Sequence, residues 1–153
     1  MKNNIDMKTD KEERRLVCSR IKTPDGTILE SMFTHDFVSH TDKNGEDYFL
    51  DGGTDYQRMS VNKVPAENCS IYSDSPFEVI RQHLKRGTFD ENGERIWKPL
   101  CELSDAHLEN ILIYNKERGL HEAFKWYDDY IVEEQEYRKK HNITIEDNFK
   151  KIN

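Results

Sequence analysis

Cationic and aromatic residues are concentrated in one short stretch near the middle of this acidic chain. The cations are Arg81, Lys85, Arg86, Arg95 and Lys98, and Phe89, Asn92 and Trp97 lie among them. An arginine can pair with a phosphate while a planar ring stacks on an aromatic face or on a guanidinium plane. These residue types favour a small, planar, anionic ligand that is bound without a catalytic group. The alternative is a surface hairpin with ordinary solvated charge and with Trp97 in the core.

A second candidate segment combines paired glycines with a tyrosine and an arginine. It reads Asp51-Gly52-Gly53-Thr54-Asp55-Tyr56 and continues to Arg58. Paired glycines let backbone amides approach a ligand or make a sharp reversal of the chain. Tyr56 and Arg58 alternate onto one face of a predicted strand, so an arginine–aromatic surface is expected there. This surface and the later hairpin could line a shared pocket, within one chain or across a subunit boundary; a plain bulge or turn is the alternative.

Histidine and aspartate side chains in the segment 34–40 raise the question of a metal or acid–base site. His35 and His40 lie five positions apart on a predicted strand and point to opposite faces, so they cannot easily share one metal. Asp36 and His40 fall on one face, where a hydrogen-bonded pair or a turn cap is the commoner arrangement. The sequence contains no GxGxxG, Walker, HExxH, GxSxG or CxxC motif. It therefore predicts no catalytic residue, no metal ligand and no cofactor.

Composition limits the classes of function. With 35% charged against 35% hydrophobic residues in 153, the core must be lean, and an oligomer would relieve that shortage. A formal charge of −7 argues against a binder of duplex nucleic acid. Cys18, Cys69 and Cys101 are odd in number and widely spaced, which indicates reduced thiols in a cytosol. Apolar runs fall well short of the roughly 20 residues needed to cross a bilayer, so no membrane partner is expected.

Turn signals divide the first half of the chain into predicted antiparallel strands. Thr23-Pro24-Asp25-Gly26 and Asn44-Gly45 supply the backbone conformations that tight hairpins need. We predict a flexible tail over residues 1–13 and a single α+β domain over 14–153. The strands are expected at 15–22, 27–33, 36–41, 46–50 and 54–61, with a short one near 70–72.

Helical signals begin at Ser75. The run Ser75-Pro76-Phe77-Glu78 combines an N-cap hydroxyl, a proline and the glutamate of a capping box, which predicts a short helix that ends near Gly87. Asp90-Glu91-Asn92-Gly93 then predicts a hairpin over 88–98. The cationic and aromatic residues are therefore expected on a hairpin next to the end of a helix.

An antiparallel helical pair is predicted after this hairpin. The first helix begins at the N-cap Ser104 and ends at the C′ residue Gly119, and the second runs from Leu120 to about His141. Its apolar face is expected to carry Ala123, Phe124, Tyr127, Tyr130, Ile131 and Tyr137, and its solvated face Asp128, Asp129, Glu133 and Glu134. The sequence pattern of the segment 143–153 fits either a strand or a loose tail. The predicted fold class is α+β, with an N-terminal antiparallel sheet, a short helix, a hairpin and the helical pair.

Several segments resemble a family of small phage proteins. They read IKTPDGTILES (21–31), HDFV (35–38), DGG (51–53), DYQR (55–58), YSDSPFEVIR (72–81) and EYR (136–138). Over roughly residues 14–140 the chain is similar to the phage anti-Thoeris sponges, whose members bind cyclic ADP-ribose isomers, and in some cases cyclic oligonucleotides, without cleaving them. Members of the family assemble as oligomers up to hexamers.

The resemblance implies a non-enzymatic homo-oligomer, from dimer to hexamer, in the cytoplasm of an infected bacterium. It would bury a cyclic nucleotide-like immune signal between subunits. The resemblance places ligand-binding residues at Arg58, Arg86, Phe89, Asn92 and Arg138, and the hairpin pattern adds Arg95 and Trp97. The chain departs from the family at Asp90 and Glu91, an acidic pair that disfavours a phosphate.

Two other functions remain open at this point. An acidic phage inhibitor could dock directly on a host defence or nucleic-acid enzyme and imitate nucleic-acid charge. The residues for that role are Asp128, Asp129, Glu133 and Glu134. A hydrolase that uses His35, Asp36 and His40 is the weakest of the alternatives.

Overall fold

The structure, a computed structural model, describes residues 14–147. The described residues form two compact units, one up to Leu84 and the other from Lys85 onward. Antiparallel strands come first and helices lie at the C-terminal end, so the predicted α+β class is confirmed. The tail predicted over 1–13 and residues 148–153 of the last segment lie outside the described residues.

Antiparallel strands build most of the first unit. They are β1 (Leu16–Lys22), β2 (Ile28–Ser31), β3 (Val38–Thr41), β4 (Asp47–Asp51), β5 (Arg58–Met59), β6 (Glu67–Asn68) and β7 (Ile71–Tyr72). In one sheet β1 lies between β2 and β6 and also pairs with β7, and the other sheet has the order β3-β4-β5. All predicted strands are present, although β5 is much shorter than expected and β6 was not predicted.

A turn after β4 replaces the start of the strand predicted at 54–61. Gly52 and Gly53 have φ values of +100° and +57°. The backbone N–H groups of Asp55 and Tyr56 donate to the Gly52 carbonyl at 3.2 and 3.3 Å. A Cβ on Gly53 would lie 2.6 Å from the backbone nitrogen of Phe33, so glycine is required there. These hydrogen bonds fold the chain back before β5 can extend.

The core of the first unit comes from alternate strand positions. Ile21, Leu29, Tyr48 and Leu50 are buried together. Because side chains alternate along a strand, the residues between them point away from this cluster. Phe49 is one of these, and it lies on the outer face of the β3-β4-β5 sheet.

Helix α1 spans Phe77–His83. Its N-cap is Pro76 and no side chain caps it, so the predicted capping box between Ser75 and Glu78 is wrong. The Ser75 N–H donates instead to the Tyr72 carbonyl at 3.0 Å, which keeps Ser75 in the turn after β7. The helix also ends earlier than the predicted Gly87, because residue 84 is extended and a strand follows.

The second unit begins with a hairpin and continues with two helices within the described residues. Its elements are β8 (Lys85–Phe89), β9 (Arg95–Pro99), a 3₁₀ turn (Leu100–Glu102), α2 (Asp105–Glu117) and α3 (Lys125–His141). The predicted hairpin turn is confirmed: Gly93 has a φ of +79°, and the Asp90 carboxylate accepts the N–H groups of Asn92 and Glu94 at 2.9 Å. Asn92 therefore lies in the exposed turn.

Both predicted ends of α2 are confirmed. The Ser104 hydroxyl accepts the His107 N–H at 3.0 Å, which caps the first turn. At the other end Gly119 has a φ of +67°, and the Leu120 N–H donates to the Asn115 carbonyl at 2.8 Å. This Schellman-type closure uses the residues after Glu117 to end one helix.

Helix α3 therefore begins at Lys125 and not at the predicted Leu120. Ala123 and Phe124 are exposed, so they lie outside the predicted apolar face. Asp128 and Glu134 are 1% and 0% exposed, and their prediction as solvated residues is wrong. Among residues 14–147, no helix has the length and apolar character to span a bilayer.

Candidate functional site

The hairpin β8–β9 sorts the predicted ligand-binding residues onto two faces. Its register pairs Phe89 with Arg95, Gly87 with Trp97, and Arg86 with Lys98. Opposed residues of an antiparallel pair share a face, and neighbours along each strand alternate. Gly87, Phe89, Arg95 and Trp97 therefore lie on one face, which we name the stacking face. Arg86 and Lys98 lie on the other.

The stacking face presents a cation and two aromatic rings. The Arg95 guanidinium carbon lies 5.2 Å from the centroid of the Trp97 ring, in cation–π range. A Cβ on Gly87 would come within 2.6 Å of Arg95 Nη2, so the missing side chain lets the guanidinium cross the strand beside the indole. Arg95 is exposed and Phe89 is 59% exposed. Both can therefore contact a planar ligand.

Arg86 is not brought together with the stacking face. Its guanidinium carbon lies 5.3 Å from the centroid of Tyr127 in α3. Burial raises the pKa of Tyr127, and the nearby Arg86 charge opposes that rise. Arg86 therefore packs within the second unit, on the side of the hairpin opposite Arg95.

A cleft of about 250 Å³ lies beside the hairpin, and its lining includes Thr88, Ile96 and Lys98 of one face together with Phe89 at the end of β8. Carboxylates dominate its charged lining: Asp90, Glu91, Glu102, Glu146 and Asp147, against Lys98. His107 also lines it, and burial together with the charges of Arg86 and Lys98 lowers the pKa of this histidine. The lowered pKa disfavours a charged imidazole, and the five carboxylates against one lysine give the cleft a net negative charge that repels a phosphate.

Arg138 is engaged inside the second unit, where it is 3% exposed. Its Nε donates to Glu134 at 2.7 Å, Nη1 to Asp105 at 2.8 Å, and Nη2 to the Leu100 carbonyl at 3.1 Å. These bonds connect α3 with the start of α2 and with the 3₁₀ turn. A ligand at Arg138 would have to break them and leave the Glu134 charge buried, which is costly. The geometry thus gives Arg138 an internal structural role.

Asp128 is a second buried carboxylate that sequence patterns did not reveal. It accepts hydrogen bonds from Asn115 Nδ2 at 2.8 Å and pairs with His121 Nδ1 at 2.9 Å. Its partners lie on α2 and on the connection before α3, so the contact becomes visible only once the helices are packed. The predicted acidic docking surface therefore loses Asp128 and Glu134 and keeps Asp129 and Glu133.

Arg58 lies on an arginine–aromatic surface of the first unit. Its side chain is 62% exposed and donates from Nη2 to the Asp51 carboxylate at 2.8 Å. Its guanidinium carbon is 5.4 Å from the Phe49 centroid, and Phe49 stacks on Phe37 at 5.1 Å. The aromatic partner of Arg58 is thus a residue of β4, which the strand pattern of 54–61 did not suggest.

Tyr56, which was expected to share a strand face with Arg58, contacts His35 instead. Its hydroxyl is 3.0 Å from His35 Nδ1, and the two rings meet edge to face. His35 has a positive φ of 67°, so it occupies a turn and not a strand position. The predicted strand face of Tyr56 and Arg58 therefore does not form, because the turn at Gly52 redirects the chain before β5.

Asp36 and His40 belong to two different local networks. Asp36 caps the turn after β2 by accepting the Met32 N–H at 2.7 Å, as the turn-cap interpretation expects. His40 Nε2 instead lies 2.9 Å from the Asp25 carboxylate. The hydrolase constellation is therefore not assembled among the described residues.

Asp25 joins the turns of the hairpins β1–β2 and β3–β4. Its carboxylate accepts the Thr27 N–H at 3.0 Å, and its own N–H donates to the Asp42 carboxylate at 3.2 Å. Hydrogen bonds from Thr27, His40 and Thr23 hold the pKa of Asp25 well below its usual range. Asp25, His40 and Asp42 offer ligand atoms within 4.8 Å of one another, but these carboxylates already serve the two turns.

Comparison with known family models, curated proteins and solved structures gives no match for this chain. The resemblance to the phage sponges therefore stays a prediction. What the sequence and geometry supply together is the stacking face, with Phe89, Arg95 and Trp97 on adjacent positions of one hairpin.

Proposed function

We propose that this protein is a phage-encoded, non-enzymatic sponge that sequesters a cyclic nucleotide-like immune signal in the cytoplasm of the host. The observation that supports it is the stacking face, where Arg95 lies 5.2 Å from Trp97 and Phe89 is exposed beside them. A guanidinium can pair with a phosphate while a base stacks on the adjacent ring.

The strength of these contacts argues for an oligomer. One base stacked on an aromatic ring contributes about 1–3 kcal/mol, and one charge-assisted hydrogen bond about 1.5–3 kcal/mol. A dissociation constant of 1 μM requires about 8 kcal/mol. One stack and one charge-assisted bond on a single chain therefore fall short of this value, and a stack on each of the two rings reaches it only at the upper end of these ranges. A second copy of the chain, in an assembly from dimer to hexamer, would supply the missing contacts and close the site.

Calorimetric titration tests the proposal. Cyclic ADP-ribose isomers and cyclic di- and trinucleotides are titrated into the wild-type chain and into Arg95→Gln and Trp97→Leu. We expect at least one ligand to bind, with affinity reduced about tenfold or more in both variants, because each loses a charge pair or a stack.

A matched control for this experiment is Arg118→Gln. Arg118 is an exposed arginine with its guanidinium carbon 4.8 Å from the Tyr114 centroid, outside the stacking face. It should leave the affinity unchanged. Absence of heat with every ligand, from a folded protein, would refute the proposal. Heat denaturation should return the ligand intact, and a cleaved product would indicate an enzyme.

A second candidate function is direct inhibition of a host enzyme by an acidic surface. The observation that favours it is the carboxylate lining of the cleft beside His107. Charge reversal at Glu91 and Glu146 should then abolish capture of a host protein, while Arg95→Gln should have no effect on it. Failure of the wild-type chain to retain any host protein would refute this second candidate.

A further inference from the structure

Cys18, Glu30 and His83 bring sulfur, oxygen and nitrogen ligand atoms together in the first unit. Arg20 lies two positions from Cys18 on β1 and directly opposite Glu30 on β2. Because side chains alternate along strands, these residues share one sheet face. His83 of α1 reaches the same face, where its Nδ1 lies 3.2 Å from Arg20 Nη1. Residues far apart in the sequence thus converge at one point.

The chemistry of this trio suits a borderline-soft metal ion. The Cys18 sulfur, a carboxylate oxygen of Glu30 and a ring nitrogen of His83 all lie within 4.8 Å of one another. Zinc binds these three donor types at about 2.0–2.3 Å in tetrahedral geometry, which places its ligand atoms about 3.3–3.7 Å apart. Side-chain rotations that move the ligand atoms by about an ångström would bring them to these spacings. Calcium and magnesium, in contrast, select oxygen donors.

We propose that Cys18, Glu30 and His83 form a Zn²⁺ site, with the fourth position open to water. Cys18 is 4% exposed and the Glu30 side chain 17% exposed, so the ion would be held in a sheltered position between a hairpin and a helix. The site is independent of the stacking face and of the proposed ligand.

The Arg20 guanidinium already places one positive charge next to Glu30 and His83. A guanidinium is always protonated and can only donate, so His83 Nδ1 accepts its hydrogen bond through a lone pair. Arg20 Nε lies 3.7 Å from the Glu30 carboxylate and, among the described residues, makes no hydrogen bond. Zinc carries two positive charges where the guanidinium carries one, and its bonds to these ligands are shorter. Zinc bound at His83 Nδ1 would displace the hydrogen bond from Arg20, and a zinc ion at either ring nitrogen would repel the nearby guanidinium, so Arg20 opposes zinc binding.

The binding step releases one proton. Zn²⁺ forms a bond to the Cys18 sulfur, the thiol S–H bond breaks, and the proton passes to water; no electron is transferred. Two negative ligands then neutralise the ion, and Arg20 moves away from His83. Replacement of Arg20 by an uncharged residue should consequently strengthen metal binding.

The other cluster of ligand types in the described residues is less suited to zinc. Asp25 and Asp42 already accept hydrogen bonds from the backbone of the two turns, and a metal would have to displace these bonds. This cluster serves as an internal comparison, because His40→Gln alters it without touching His83.

Cobalt and zinc titrations of the reduced, full-length chain test the site. Cobalt bound to a thiolate gives an intense charge-transfer absorption, and zinc affinity is measured in competition with a chromophoric chelator. We expect one metal per chain and a thiolate absorption that is lost in Cys18→Ser. Glu30→Gln and His83→Gln should weaken zinc binding about tenfold or more, and Arg20→Met should strengthen it.

Cys69→Ser is the matched control, because Cys69 is also a free thiol and lies outside the trio. It should leave the absorption and the affinity unchanged. Persistence of the thiolate absorption in folded Cys18→Ser, or loss of binding in His40→Gln but not in His83→Gln, overturns the proposal. If circular dichroism shows Cys18→Ser to be unfolded, His83→Gln and Arg20→Met decide: unchanged zinc affinity in both refutes the site.

Discussion

Arg95 on the hairpin and Arg138 in the helical pair place the same side chain in opposite environments. Arg95 is exposed and lies across a strand beside Trp97, whereas Arg138 is 3% exposed and bonded to Glu134, Asp105 and a backbone carbonyl. The first presents its charge to the outside, and the second uses its donors to connect elements of the fold. Residue type therefore does not identify a binding arginine; the partners of its guanidinium do.

Arg138→Met should have the largest effect on stability. It removes one partner of a buried ion pair and leaves Glu134 charged at 0% exposure, so we expect a loss of about 3–5 kcal/mol in the free energy of unfolding. Urea denaturation followed by circular dichroism measures this loss. Arg118→Met, at an exposed position, should cost no more than about 1 kcal/mol.

A double variant sharpens this prediction. Glu134→Leu combined with Arg138→Met replaces both charges with apolar groups, so it should be more stable than Arg138→Met alone. If the single variant unfolds at the same urea concentration as Arg118→Met, the network around Arg138 does not stabilise the second unit.

Asp128→Ala should have the next largest effect. It leaves the buried Asn115 amide without its acceptor, at a cost of about 1–3 kcal/mol, whereas the exposed His121 can turn to water. Asp129→Ala is the control: Asp129 makes an exposed pair with Lys125, so its loss should change stability by about 0.5 kcal/mol or less. Equal losses in the two variants would contradict the burial of Asp128.

Arg95→Gln should change stability less than Arg138→Met or Asp128→Ala. An exposed cation–π contact contributes about 0.5–1 kcal/mol, so thermal unfolding should shift only slightly. Ligand binding should nevertheless fall strongly if the proposed function is right. A large loss of stability with little loss of binding would show that Arg95 and Arg138 have been assigned to the wrong roles.

His107 adds a weaker, pH-dependent effect near the hairpin. Its pKa is lowered from 6.5 by burial and by the charges of Arg86 and Lys98, so the unfolded chain binds a proton more readily. Neutral His107 therefore contributes its full share to the free energy of unfolding above about pH 6.5, and this contribution declines as the pH falls below that value. His107→Gln should lose less stability than the wild type between about pH 7.5 and 5.5 in urea titrations. A steeper decline in the variant would contradict the lowered pKa.

Sequence signals that involve only a few neighbouring residues predict much of the fold. The N-cap Ser104, the C′ residue Gly119 and the turn at Asn92-Gly93 were recognised because each depends on a few neighbouring residues. The capping box at Ser75 failed because a hydrogen bond to Tyr72, in the preceding strand, holds the serine outside the helix.

The candidate site was predictable in composition but not in arrangement. The sequence pattern groups Arg86 with Arg95 because they are close along the chain. The register of the hairpin, however, places the two side chains on opposite faces. Asp128 and Glu134 were assigned to solvent because charged helix positions usually face water. Their burial depends on Asn115 and Arg138, and such pairings require knowledge of how the helices pack.

The contacts of Asp25 couple the opening motions of two hairpin turns in the first unit. The contacts of this residue with His40 and Asp42 fasten the tips of two hairpins to each other. The tips should then open as one cooperative event. Hydrogen exchange at the backbone amides of Gly26 and Gly45 should accelerate together in Asp25→Ala, although only one of the two turns contains the substitution.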